Sequence, residues 1–81
     1  MDLIKLTEYL VKSVSSEPDM VSLKKFETEE DFILIQVMVS KDDMGAVIGK
    51  NGKMISSIRT IVSAASYKNN LPKVRINVDS F

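Results

Sequence analysis

The sequence has no cysteine and no histidine. Without thiols there is no disulfide framework and no thiolate zinc site, and without imidazole a conventional zinc cluster is excluded as well. The missing histidine also removes the usual base that would activate one of the many serines for nucleophilic chemistry. Carboxylates remain, but their spacing forms no recognisable metal-binding loop, and no cofactor is implied. No apolar run approaches the length that spans a bilayer, and Met1-Asp2 opens no basic segment leading into an apolar stretch. Neither membrane insertion nor secretion is therefore expected, and a soluble cytoplasmic protein is the default. Net charge is lacking too: 11 Lys and Arg balance 11 Asp and Glu, which weakens any global attraction to a polyanion.

At 81 residues the chain reads as one domain over 1–81, with elements from about residue 3 to 78. The core is small enough that every apolar stretch has to be used. Its charge is unevenly placed. Residues 1–30 carry four Lys against seven Asp and Glu, whereas residues 31–81 carry seven Lys and Arg against four Asp. Uneven charge alone often marks only a solvated surface. Here the basic part also holds all three glycines.

Taken in order, Leu3, Leu6, Leu10 and Val14, widened by Val11, recur at helical spacing, with Lys5, Glu8 and Lys12 toward water and Glu8 four residues before Lys12. Ser15-Ser16-Glu17-Pro18 stops that helix. Met20 to Glu27 suggests a short strand, Thr28, Glu29, Glu30 and Asp31 a polar turn, and Phe32 to Val39 the clearest strand. In that strand Ile33, Ile35, Val37 and Val39 share one face, and Phe32, Leu34, Gln36 and Met38 the other. The short connection favours an antiparallel hairpin. Ser40 and Asp43 have capping-box spacing before a short helix through Met44, Ala46, Val47 and Ile48. After Gly52 a longer helix turns Met54, Ile55, Ile58, Ile61, Val62 and Ala65 inward, and Asn69-Asn70 and Pro72 stop it. A last strand alternates Val74, Ile76 and Val78 with Lys73, Arg75 and Asn77. The connection between the last two strands contains both later helices, so those strands should pair in parallel. The expected fold is α+β, helix-strand-strand-helix-helix-strand, a three-stranded mixed sheet covered by helices on one face. Lys73, Arg75 and Gln36 would lie on the open face, with Lys73 and Arg75 as surface charges of an edge strand.

Everything turns on Gly45-Ala46-Val47-Ile48-Gly49-Lys50-Asn51-Gly52. Glycine tolerates positive φ and close backbone approach, so Gly49 and Gly52 can bracket a tight crossing with Lys50 and Asn51 at its exposed tip. Amides at the start of the following helix can meet an anion there. A nucleotide-hydrolysing loop does not fit: Gly45 and Gly49 are one residue too close, and Asn51 stands where a Ser or Thr should follow Lys50. A grip on a nucleic-acid backbone fits, with Ile48 and the face of the central strand as apolar support for bases. Asp42 and Asp43 suit helix capping better than acid–base work. No enzyme is indicated.

The stretch DMGAVIGKNGKMISSIRTIVSAA, residues 43–65, with the hairpin before it, resembles the small bacterial KH-domain RNA-binding proteins of the KhpA family, formerly the YlqC group. The resemblance runs from Leu3 to about Val78 and implies a type II KH topology. It implies that Ile48, Gly49, Lys50, Asn51 and Gly52 form the cleft and clamping loop for single-stranded RNA, about four nucleotides at a time. Lys53 would flank the phosphate path. Arg59 reads equally as a contact or as a solvent-facing charge. The resemblance further implies self-association as a homodimer, pairing with a larger KhpB-like KH-domain protein, RNA chaperoning, and control of cell shape and cell wall biogenesis. Few cations follow the loop, because Ser56, Ser57 and Ser63 occupy the next helix. The alternative is accordingly a protein-interaction adaptor with weak or absent intrinsic RNA binding. Tyr67, beyond the loop, suits the helix terminus or a dimer contact.

Overall fold

The central strand shows why the chain folds as it does. β2 (Phe32–Val39) alternates half-buried and buried residues along its whole length. Ile35, Val37 and Val39 are fully buried and Ile33 nearly so, the two-residue period of a strand with one face in the core. The computed structural model describes residues 2–27 and 31–81. Thr28, Glu29 and Glu30, read above as turn residues, lie outside the described residues. Asp31 enters β2 at φ 59.

The element order is α1 (Leu3–Val14), β1 (Ser22–Glu27), β2, α2 (Met44–Ile48), α3 (Lys53–Lys68) and β3 (Lys73–Ser80), joined by single 3₁₀ turns at Pro18–Met20, Lys41–Asp43 and Lys50–Gly52. β2 pairs with β1 antiparallel, Lys24 opposite Gln36, and with β3 parallel, Ile35 opposite Ile76. The sheet order is β1-β2-β3. This is the α+β mixed sheet with helices on one face that the periodicities imply. β1 starts later than the apolar pattern suggested, because Met20 is drawn into the 3₁₀ turn that Pro18 opens.

α1 is capped by Asp2, whose carboxylate accepts from the amides of Ile4 and Lys5 at 3.0 and 3.2 Å, filling two of the donors a helix start leaves open. Its fully submerged stripe is Leu3, Thr7 and Val11, while Leu6, Leu10 and Val14 are only half-buried. Thr7 tolerates the core because its hydroxyl donates to the Leu3 carbonyl at 2.8 Å. Glu8 and Lys12 pair at 3.8 Å on the wet side.

α3 buries Ile55, Ile58 and Val62, but Met54 is 37 % and Ile61 47 % exposed. The inward assignment of those two residues does not hold. The apolar arc of this helix is wider than the surface the sheet and α1 offer it, so its flank faces out. Tyr67, 87 % exposed, does not fill the helix terminus. A left-handed Asn70 (φ 56) ends α3 instead, with Leu71 N–H donating to Ser66 O and Asn70 N–H to Tyr67 O. That is the glycine-type helix stop with asparagine in the glycine position.

Asp43 also departs from expectation. No side chain caps α2 or the turn before it. The Asp43 carboxylate points back across the fold, accepting from the Ser16 amide (2.8 Å), the Ser16 hydroxyl (2.7 Å), the Glu17 amide (2.9 Å) and the Ser40 hydroxyl (3.1 Å). It ties the α1–β1 connection to the β2–α2 connection. The Ser16 hydroxyl, with the Ser16 and Glu17 amides behind it, holds the carboxyl below the usual carboxylate range, at about 2, against the opposing effect of burial.

Two predictions follow from this packing. Ile35→Ala should cost about 2–5 kcal/mol in a denaturant titration, whereas Ile61→Ala should stay within about 0.5 kcal/mol. A depressed folded-state pKa stabilises above the unfolded value and loses that contribution as pH falls through the folded one. Asp43→Asn should therefore lower the melting temperature at neutral pH, and its difference from the unaltered protein should shrink as pH drops from about 5 toward about 2. A pH-independent difference would contradict the clasp.

Candidate nucleic-acid interface

Between α2 and α3 three of four consecutive residues take positive φ. Gly49 has φ 79, Asn51 φ 55 and Gly52 φ 74. α2 closes with the Gly49 amide on the Gly45 carbonyl at 2.8 Å, and the Gly52 amide then reaches the Gly49 carbonyl at 3.1 Å. Gly49 is irreplaceable for a second reason. A Cβ there would come within 2.6 Å of the Met54 Cβ and 2.7 Å of the Met54 amide nitrogen. The loop is thus seated directly on the first turn of α3. Gly52 has open space around it, so only its left-handed backbone asks for glycine. Asn51, the non-glycine residue that best tolerates positive φ, takes the position between them.

This geometry displays the tip. Lys50, Asn51 and Lys53 are exposed, and Gly49 and Gly52 are partly so. α3 begins on Gly52 with no side-chain cap and no acidic residue in its first turn. Helix starts ordinarily attract Asp or Glu, which offset the partial positive charge of the unpaired amides. Here that charge is left uncompensated, and Lys50 and Lys53 add to it. The arrangement suits a phosphate and repels a cation.

Ile48 is half-buried and packs against the core beside the loop. Arg59 lies one to two turns further along α3, where its Nε and Nη2 donate to the Ile76 carbonyl at 3.3 and 3.0 Å. The guanidinium braces α3 against β3 rather than hanging free in solvent. The apolar support expected from the central strand is not beside the loop. One face of β2 is sealed in the core, and the other lies across the sheet from α2 and α3. The exposed apolar group next to Gly49 is Met54, which helical periodicity had assigned to the interior. Its signal was positional: a residue in the first turn of a helix, directly behind a protruding loop, has little above it to pack on.

A mixed three-stranded sheet covered by helices, with Gly-Lys-Asn-Gly bridging two of them, defines a KH domain. The comparisons agree: residues 4–78 match the KhpA/KhpB KH-domain family model. The chain is 42 % identical over 66 residues to the RNA-binding protein KhpA of Clostridium perfringens, covering 82 % of this chain and 87 % of that protein. It is 39 % identical over 67 residues to the KhpA of Borreliella burgdorferi, covering 83 % and 80 %, and 38 % identical over 69 residues to that of Listeria monocytogenes, covering 85 % and 88 %. The chain belongs to the KhpA/KhpB KH-domain family. KH domains bind and do not catalyse, so it is not an enzyme. Among the described residues no helix is long and apolar enough to cross a membrane.

The two loop glycines should separate experimentally. Gly52→Ala should cost about 1–2 kcal/mol, the strain of a left-handed alanine. Gly49→Ala should cost more, because its backbone (φ 79, ψ 171) lies in a region essentially reserved for glycine and the collision with Met54 is added. Equal losses in denaturant titrations would show that the contact with Met54 does not constrain the loop.

Proposed function

We propose that this protein binds single-stranded RNA through the Gly49-Lys50-Asn51-Gly52 loop. The observation that carries the reading is the uncapped, uncompensated start of α3 held behind an exposed Lys50-Asn51 tip. Lys50 and Lys53 attract the phosphates, while the Asn51 side chain and loop amides donate hydrogen bonds. Ile48 and Met54 offer apolar contact to bases. Arg59 contributes chiefly by holding β3 in place through the Ile76 carbonyl. These contacts are mostly to the backbone, so the protein discriminates weakly among sequences, as suits an RNA chaperone or the regulatory subunit of an RNA-associated assembly in the cytoplasm. Similarity to the RNA-binding proteins KhpA of Clostridium perfringens, Borreliella burgdorferi and Listeria monocytogenes supports the substrate class.

A second reading is favoured by the outward apolar residues of α3. Ile61 and Tyr67 are exposed on a helix that already has a buried face. They support self-association or pairing with a larger KhpB-like KH-domain protein, and through such an assembly a part in cell elongation and envelope synthesis. An adaptor of this kind would keep its protein partner with little RNA affinity of its own.

Replacing Lys50 and Asn51 with Asp should weaken binding to an unstructured RNA at least ten-fold, roughly the 1.4 kcal/mol or more expected from turning attraction into repulsion, without lowering the melting temperature. Affinity of the unaltered protein should fall as salt rises, with a log–log slope of about −0.7 per phosphate engaged on a single strand. RNA affinity indifferent to both changes would leave the adaptor reading standing.

A further inference from the structure

The helices cover one face of the sheet, and the other is unlike an ordinary solvated surface. Strand alternation and register place Lys24 and Phe26 of β1, Phe32, Leu34, Gln36 and Met38 of β2, and Lys73, Arg75, Asn77 and Asp79 of β3 on it. Across the strands they form rows: Phe26 beside Leu34 beside Arg75, and Lys24 beside Gln36 beside Asn77. Two of the chain's three phenylalanines are on this face, although a small core would have used them well. Phe26 is 48 % exposed. The Arg75 guanidinium sits over the Phe32 ring at 4.7 Å from its centroid, which fixes a flat cation above a flat apolar group.

Charge points to the occupant. Among the described residues the charged groups on this face are Lys24, Lys73, Arg75 and Asp79, in a chain with no net charge. The charges of β1 on the opposite face, Lys25 and Glu27, neutralise each other at 3.4 Å. A second copy laid against the open face would have to desolvate three cations with one carboxylate to answer them, which is unfavourable. An unpaired polynucleotide supplies what the face lacks, phosphates for the cations and flat bases for the Phe26 ring and the Arg75 plane. Gln36 and Asn77, in the middle row, add amides that can pair with base edges.

We propose that the open face of the sheet, centred on Phe26, Arg75 and Lys24, is a second contact surface for single-stranded RNA, a stacking platform used by strands longer than the loop accommodates. The inference rests on the RNA-binding reading and extends it. β3 is the border between the two surfaces: it is an edge strand, it packs against α2 and α3, and it carries Lys73, Arg75 and Asn77 on its open side. The surface also answers how a domain with few cations behind its loop can hold RNA.

The test compares an oligouridine of about four nucleotides, the length a KH loop clamps, with one of about sixteen. Phe26→Ser combined with Arg75→Gln should weaken binding of the long strand about five-fold or more, the loss of one base stack or a little over, and leave the short strand unchanged. The Lys50/Asn51 variant should weaken both. An open-face variant that binds both lengths like the unaltered protein overturns this inference alone. A loop variant that binds normally while the open-face variant fails overturns the loop reading alone. Photo-crosslinking of the unaltered protein to the long strand, mapped by mass spectrometry, avoids any folding defect of the variants. Adducts on Phe26 or within residues 73–77 are expected, and adducts confined to residues 48–54 overturn the platform. So would an open-face variant that changes only the sedimentation of the protein, which would assign the face to a second copy.

Discussion

The loop exists because Gly49 has no side chain. Its backbone lies where a Cβ would meet Met54 at 2.6 Å, so α2 can end and α3 can begin almost in contact. The reversal between them takes left-handed turns at Asn51 and Gly52. The left-handed backbone at the N-cap position calls for glycine, which has no capping side chain, and the crossing projects Lys50 and Asn51 into solvent. The electrostatic character of the site is a consequence of the steric one: an uncapped helix start is what remains when the preceding residues are committed to turning the chain. α3 can sustain this exposed start because its other end and one face are firmly held, by Ile55, Ile58 and Val62 in the core and by the Asn70 stop.

Neutral net charge does not conflict with a nucleic-acid partner, because the charges are sorted in space. The helix-side charges of α1 and β1 include two opposite-sign pairs, Glu8 with Lys12 and Lys25 with Glu27. Lys50 and Lys53 stand at the start of α3, whose first turn carries no acidic residue, and Lys24, Lys73 and Arg75 gather on the bare side of the sheet. Asp43 is 2 % exposed, its carboxylate turned inward onto Ser16, Glu17 and Ser40. One acidic group is thereby converted from a surface charge into a tie between two connections.

Much of this was legible in the residues. The two-residue period of Phe32–Val39, the proline after α1 and the glycines around Lys50 gave the elements, the parallel return of β3 and the place of the loop. The misreadings share one cause. Helical periodicity marked Met54 and Ile61 as interior because they lie beside Ile55 and Val62 on the wheel, but how much of an apolar arc is covered depends on what is packed against it. Thr7 sank where Leu6 and Leu10 were expected to, because only the folded helix shows that its hydroxyl is satisfied by Leu3. Asp43 looked like a local cap because Ser40 is close to it in sequence, whereas Ser16 and Glu17 are more than twenty-five positions earlier in the chain.

The amino-acid sequence alone determined the order of elements and the glycine crossing, which follow from spacing and backbone preference between near neighbours, and the strand pairings, which follow from what each connection contains. The tertiary structure alone decided which apolar residues stay outside, where the Asp43 carboxylate points, and that Arg59 grips β3. It also decided that the aromatic side of the central strand faces away from the loop. Each of those depends on which surfaces meet across the fold, and contact between distant segments leaves no periodic trace along the chain.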